Sequence, residues 1–259
     1  MSVELHADTA GDAGPPLASP VEEGARIAAA ARGRGLAVRI GGGVAVALRC
    51  PSSQTPPLVR SYADIDLFAR RKESKQVAEL MGALGYVPDR QFNALHGARR
   101  LFFWDAANER QVDVFLDVFE MCHRLDLSKR LLLPGDTLPL ADLLLSKLQI
   151  VETNEKDLTD MLTILVDHPL TENEEGINLA YIAGLTSADW GLWRTTTMAA
   201  EKADQHARQI EGFAGRARVH DGVRTLLERL EREPKTRAWK LRARVGPRVR
   251  WFELPEEAH

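Results

Sequence analysis

Apolar residues recur along this chain with two periods. Up to about residue 120, short β-branched and aromatic runs alternate with helical stretches; from residue 139 onward helical spacing alone remains. Ser19-Pro20-Val21-Glu22 supplies a capping residue, a proline at the first helical position and an acid three after the cap. That predicts a helix over 20–33, closed by Gly33 and Gly35. "LAVRI" at 36–40 predicts a strand, after which Gly41, Gly42 and Gly43 turn the chain into a short helix, "VAVALR", that must stop before Pro51. "ADIDLFA" reads as a strand and "ESKQVAELMGALGY" as a helix ended by Gly85. "RLFFWD" at 100–105 and "QVDVFLDVF" at 111–119 form two more strands, and the polar "AANE" between them suits a hairpin.

Beyond the connector "LSKRLLLPGDT", "PLADLLLSKLQIVE" begins a helix with proline, and "KDLTDMLTILVDH" sets Leu158, Met161, Leu162 and Leu165 on one helical face. "NLAYIAGL" is a shorter apolar helix, and two longer polar helices follow at roughly 188–211 and 216–232. The expected fold is α+β: a disordered tail over 1–18, a catalytic-core unit with a mixed sheet over 19–133, and a mainly α-helical part over 134–259.

Composition narrows the class. With 44% hydrophobic and 27% charged residues the chain is an ordinary globular protein, neither disordered nor fibrous. A net charge of −3 argues against wholesale electrostatic binding to nucleic acid, although it leaves room for a local basic patch. Cys50 and Cys122 lie far apart, without zinc or redox spacing. The opening "MSVELHADTAGDAGPP" is acidic where a signal peptide is basic, and the richest apolar stretch is broken by two prolines and charges. No membrane and a cytoplasmic location are the expectations.

The chemistry begins at "LVRSYADIDLFARR". Asp64 and Asp66 are two apart in a strand and so share a face, where like charges repel unless a cation sits between them. Oxygen ligands suit Mg²⁺, which takes its remaining ligands from water and phosphate. Asp113 and Asp117 lie four apart in a later strand. If that strand neighbours "ADIDL", Asp113 completes a three-carboxylate cluster able to hold two metals. A solvated strand face is the alternative, favoured for Asp117. "GGGVAVAL" lacks the Lys-Ser/Thr ending of a Walker loop. A dinucleotide-binding turn fits poorly too, because Val46 stands at the third glycine position and Pro51 cuts the helix short.

Together, Gly41 and Gly42 before a short helix, Arg60 four before "DIDL", and Asp113 in "VDVF" resemble the polymerase β-like nucleotidyltransferase superfamily. The segment "LPLADLLLSKLQIVETNEKDLTDMLTIL" is similar to that following the core in abortive-infection (AbiEii-type) and minimal nucleotidyltransferases, so the resemblance spans about 36–166. It implies Mg²⁺-dependent transfer of a nucleoside monophosphate from an NTP to an acceptor hydroxyl. Asp64 and Asp66 would then bind metals bridging the triphosphate, and Asp113 the metal that activates the acceptor. Amides after Gly42 would cradle phosphates, with Arg60, Lys147 and Asp157 completing the nucleotide site. Gly43 departs from the family's Ser or Thr, leaving phosphate contact there to the backbone.

Several residues carry a plainer reading. Asn154 and Asp157 are spaced as a helix cap and its reciprocal acid, Lys147 suits the polar face of its helix, and Asp160 suits a solvated flank. Cys122-His123 lacks a partner cysteine, and His96 suits a surface turn. Residues 235–252, "KTRAWKLRARVGPRVRWF", hold seven Lys or Arg, no acid, and Trp239, Trp251 and Phe252. Cations for phosphates and rings for bases fit a tRNA or other RNA acceptor; cations paired with Glu228 and Glu231 are the alternative. A small hydroxylated acceptor, a toxin-like role with an antitoxin partner, and a non-catalytic nucleotide- or RNA-binding relative also fit the pattern.

Overall fold

The computed structural model describes residues 14–254. Helix α1 (Pro20–Gly33) starts as predicted: Ser19 Oγ accepts from the Glu22 N–H and Pro20 occupies the first turn. Of the expected tail, residues 1–13 lie outside the described residues. The carbonyls of Pro16, Leu17 and Ala18 are instead tied down by Asn108 and Arg110. Strand β1 (Arg39–Ile40) keeps only two residues of the predicted five, and α2 (Gly42–Arg49), β2 (Asp64–Ala69) and α3 (Ser74–Ala83) follow.

Several short elements escape the sequence pattern. Strand β3 (Val87–Pro88) is too short to show a period, and α4 (Arg90–His96) has no fully buried residue to mark a stripe; it is fixed by Asp89, whose carboxylate accepts from the Phe92 N–H. Strands β4 (Arg100–Asp105) and β5 (Arg110–Leu116) form the expected hairpin. The strand predicted over 111–119 ends at Leu116, because Asp117 turns to φ 60° and leaves the ladder. Asp117 therefore does not share a strand face with Asp113. Strand β6 (Val118–Glu120) pairs instead with β7 (Arg124–Asp126) in a separate ribbon.

The main sheet has the order β1-β2-β5-β4-β3, with β2 and β5 parallel and every other pair antiparallel. Its register sorts the residues onto two faces. Ile65, Val112 and Phe103 align, as do Leu67, Val114 and Leu101, and all six are buried. On the other face Asp64, Gln111 and Trp104 form one row and Asp66, Asp113 and Phe102 the next. The mixed, helix-flanked sheet is the α+β architecture expected.

The helical part comprises α5 (Leu140–Leu148), α6 (Glu155–Asp167), α7 (Leu179–Ala188), α8 (Trp190–Gln209), α9 (Arg216–Arg232) and α10 (Arg237–Val245). A small parallel pair, β8 (Leu170–Thr171) and β9 (Ile177–Asn178), precedes α7. One buried apolar cluster runs from Ile27 of α1 through Leu144 and Leu162 to Leu230 of α9. The expected boundary near 133 leaves no gap in this core: the Leu138 N–H donates to the Ile40 carbonyl at 2.8 Å, just beyond it. Among the described residues no helix is long and apolar enough to cross a membrane.

Candidate active site

Parallel pairing of β2 with β5 brings the three predicted acids together. Asp66 lies directly opposite Asp113, and Asp64 stands one row away, opposite Gln111. Asp64 is exposed, Asp66 half-buried and Asp113 only 6% exposed. Asp113 is held by Arg100 of β4, whose Nε donates to Oδ1 at 2.6 Å; the same guanidinium lies over the Phe92 and Phe115 rings. Sequence spacing gives no hint of Arg100, because it reaches Asp113 only through the hairpin register.

The glycine turn closes on the acids. The Gly41 N–H donates to the Asp66 carbonyl at 2.8 Å, which ties the start of α2 to β2. Gly42 has φ +56°, and a Cβ there would overlap the Asp66 carboxylate. A Cβ on Gly41 would run into the Phe68 ring. Only glycine permits this approach, and it sets the first amides of α2, which have no partner within the helix, beside the carboxylates.

Lys147, Asp157 and Arg60 meet on the other side of the turn. Lys147 Nζ sits 3.0 Å from Asp157 Oδ1 and 3.1 Å from Asp160 Oδ2. Asp160, expected on a solvated flank, is only 1% exposed. It takes Arg60 in a bidentate pair, Nε to Oδ1 at 2.7 Å and Nη2 to Oδ2 at 2.8 Å, while the guanidinium lies over Tyr62 at 4.4 Å. The helical period of α6 places Asp160 three residues after Asp157, on the side that meets α5; that spacing is the only sequence signal for it. Asn154 and Asp157 also form the anticipated reciprocal cap of α6, so Asp157 serves both the helix and Lys147.

Electrostatics follow from this crowding. Burial, then the nearby Asp64 and Asp113, push the Asp66 carboxyl up to about 7, with Lys147 and Arg100 pulling the other way. Burial alone would lower Lys147, but the Asp160 and Asp157 carboxylates outweigh it and hold the ammonium above its usual value. Five carboxylates, Asp64, Asp66, Asp113, Asp157 and Asp160, thus face three cations, Arg60, Arg100 and Lys147. With all five ionised, the surplus of two negative charges on oxygen donors suits a hard divalent cation. Among the described residues, no three His, Cys, Asp or Glu are spaced as a formed metal site.

The remaining candidates have structural partners. His123 is buried, its Nε2 2.8 Å from Thr195 Oγ1, and burial lowers its pKa. His96 lies on α4 rather than in a turn, its ring 4.7 Å from that of Phe92. In the basic tail, Trp239 packs edge-on against Trp193 at 5.3 Å and Trp251 against Trp190 at 6.0 Å. Arg242 donates to the Gly246 and Val249 carbonyls and covers Trp190. Lys240, Arg244 and Arg248 point to solvent.

No protein-family model matches the chain, and no curated protein does. Among solved structures, the chain is similar to the antibiotic-resistance factor ANT(2'')-Ia, whose solution structure reveals substrate-regulated conformation dynamics. The two share 14% identity and a TM-score of 0.35 over 54% of this chain and 78% of that one.

Proposed function

We propose that the protein is a Mg²⁺-dependent nucleotidyltransferase of the AbiEii-like, minimal type, moving a nucleoside monophosphate from an NTP to an acceptor hydroxyl. The observation that carries this reading is the pairing of Asp66 with Asp113 across parallel strands, beside a glycine turn that only glycine can make. Acids on a rigid sheet next to free helix amides make a place for a metal-bound triphosphate.

Asp64, Asp66 and Asp113 would hold Mg²⁺, which when bound neutralises phosphate charge. The α2 amides, Arg60 and Lys147 bind and orient the triphosphate. The acceptor oxygen forms a bond to the α-phosphorus, the bond to the bridging oxygen breaks, and pyrophosphate leaves with that electron pair. Asp113, beside the acceptor, takes the hydroxyl proton. Catalysis is then mainly positioning and charge neutralisation.

The acceptor is an RNA such as tRNA, approached by the exposed cations of the tail, or a small hydroxylated molecule. With an essential RNA as acceptor the role is toxin-like and calls for a neutralising partner. A second reading, a non-catalytic nucleotide- or RNA-binding partner protein, is favoured by one observation: Asp113 is already paired with Arg100.

Purified protein incubated with each labelled NTP, Mg²⁺ and total tRNA or a panel of hydroxylated small molecules should transfer label. Asp64→Ala and Asp66→Ala should abolish it. Metal-dependent NTP binding without transfer to any acceptor would favour the second reading, and neither binding nor transfer would overturn both.

A further inference from the structure

We propose that Asp160 is a positioning residue of the nucleotide site, holding Arg60 and Lys147 as one cationic clamp, and that Gly43 lacks a side chain to make room for that clamp. This rests on the nucleotidyltransferase reading. The three charged residues come from different elements: Arg60 from the segment before β2, Lys147 from α5 and Asp160 from α6. Asp160 Oδ2 accepts from Arg60 Nη2 and lies within 3.1 Å of Lys147 Nζ, so one oxygen fixes the spacing of both cations.

Geometry leaves both cations donors to spare. Arg60 has five N–H groups; Nε and Nη2 serve Asp160 and Nη1 serves the Ser61 carbonyl. Tyr62 beneath the guanidinium fixes its plane. The remaining N–H groups sit beside the start of α2, because a Cβ on Gly43 would overlap Nη2 and lie 2.8 Å from Cζ and 2.9 Å from Tyr62 Cδ1. A hydroxyl-bearing side chain at 43 and the Arg60 guanidinium are mutually exclusive there. Gly43 is thus the complement of Arg60, whose guanidinium replaces a side-chain hydroxyl as the phosphate donor. An aspartate buried merely for stability needs one cation; sharing an oxygen between two presents them side by side, as a polyphosphate requires.

The test measures NTP transfer kinetics and binding of a fluorescent ATP analogue with Mg²⁺. Gly43→Ala displaces the flexible end of Arg60 and leaves the Asp160–Lys147 pair intact, whereas Asp160→Asn keeps the shape and removes the charge. Each should raise the KM for NTP about 10- to 100-fold, the value of a charged hydrogen bond, with kcat little changed. Because Gly43→Ala acts through Arg60, adding it to Arg60→Lys should cost little more than Arg60→Lys alone. A lowered Tm with unchanged KM in both variants, or fully additive losses in the double variant, would overturn the inference while leaving the nucleotidyltransferase reading in place. Absence of NTP binding and transfer by the wild type would overturn both. If Asp160→Asn fails to fold, Gly43→Ala and the double variant decide.

Discussion

Asp66 shows what the site costs a single residue. Its folded pKa of about 7 lies above the ordinary 3.8, so between roughly pH 4 and 7 the folded protein binds more protons than the unfolded chain. Stability of the metal-free protein therefore falls as pH rises through that window, by at most about 1.4 kcal/mol per pH unit. Asp66→Asn should raise the Tm at pH 8 without divalent cation and abolish transfer at every pH. A lower Tm in the variant would mean that the neighbouring cations already satisfy this carboxylate. Gly41 bears a different constraint: Gly41→Ala drives a methyl into the Phe68 ring, which stacks on Phe115 at 5.1 Å. Overpacking there should cost about 1–3 kcal/mol in denaturant melts.

Among elements, α6 carries most of what the pattern of polar residues leaves ambiguous. Its apolar stripe, Leu158 to Leu165, is legible as a 3.6-residue period, and its cap is legible from Asn154 and Asp157. Asn154→Ala should cost about 1 kcal/mol of stability, measured by chemical denaturation, because the Asp157 N–H loses its side-chain acceptor. The inward turn of Asp160 is not legible: an acid every third or fourth residue suits a solvated flank until α5 and the Arg60 segment are packed against it. Likewise β5 ends at Asp117 through a backbone turn to positive φ that its β-favouring neighbours conceal. Strand β3 and α4 are missed for want of length, since two or seven residues are too few to display a period.

At the scale of the molecule, the helical part completes the core of the sheet-bearing part. Leu144 and Leu162 lie in the same buried cluster as Ile65 and Val112, and Thr137 bridges to Ile40. A fragment ending at residue 133 should therefore fail to give cooperative unfolding by circular dichroism; a sharp transition would show that the core unit stands alone. The tail divides by burial into two jobs. Trp239→Ala should lower the Tm, because its ring packs on Trp193. Charge removal at Lys240, Arg244 and Arg248 should instead weaken retention of tRNA on a filter and flatten its salt dependence, with the Tm held. An unchanged salt slope would assign these cations to the surface alone.

The sequence by itself determined the elements with a clear period, the pair Asp64 and Asp66 on one strand face, the glycine turn and the reciprocal cap of α6, because each depends on residues a few positions apart. Only the tertiary structure decided that Asp113 stands opposite Asp66, that Arg100 claims it, and that Asp160 gathers Arg60 and Lys147 over a side chain that Gly43 does not have. Those contacts join residues distant in the chain, and strand register and helix packing, not local propensity, fix which charges meet.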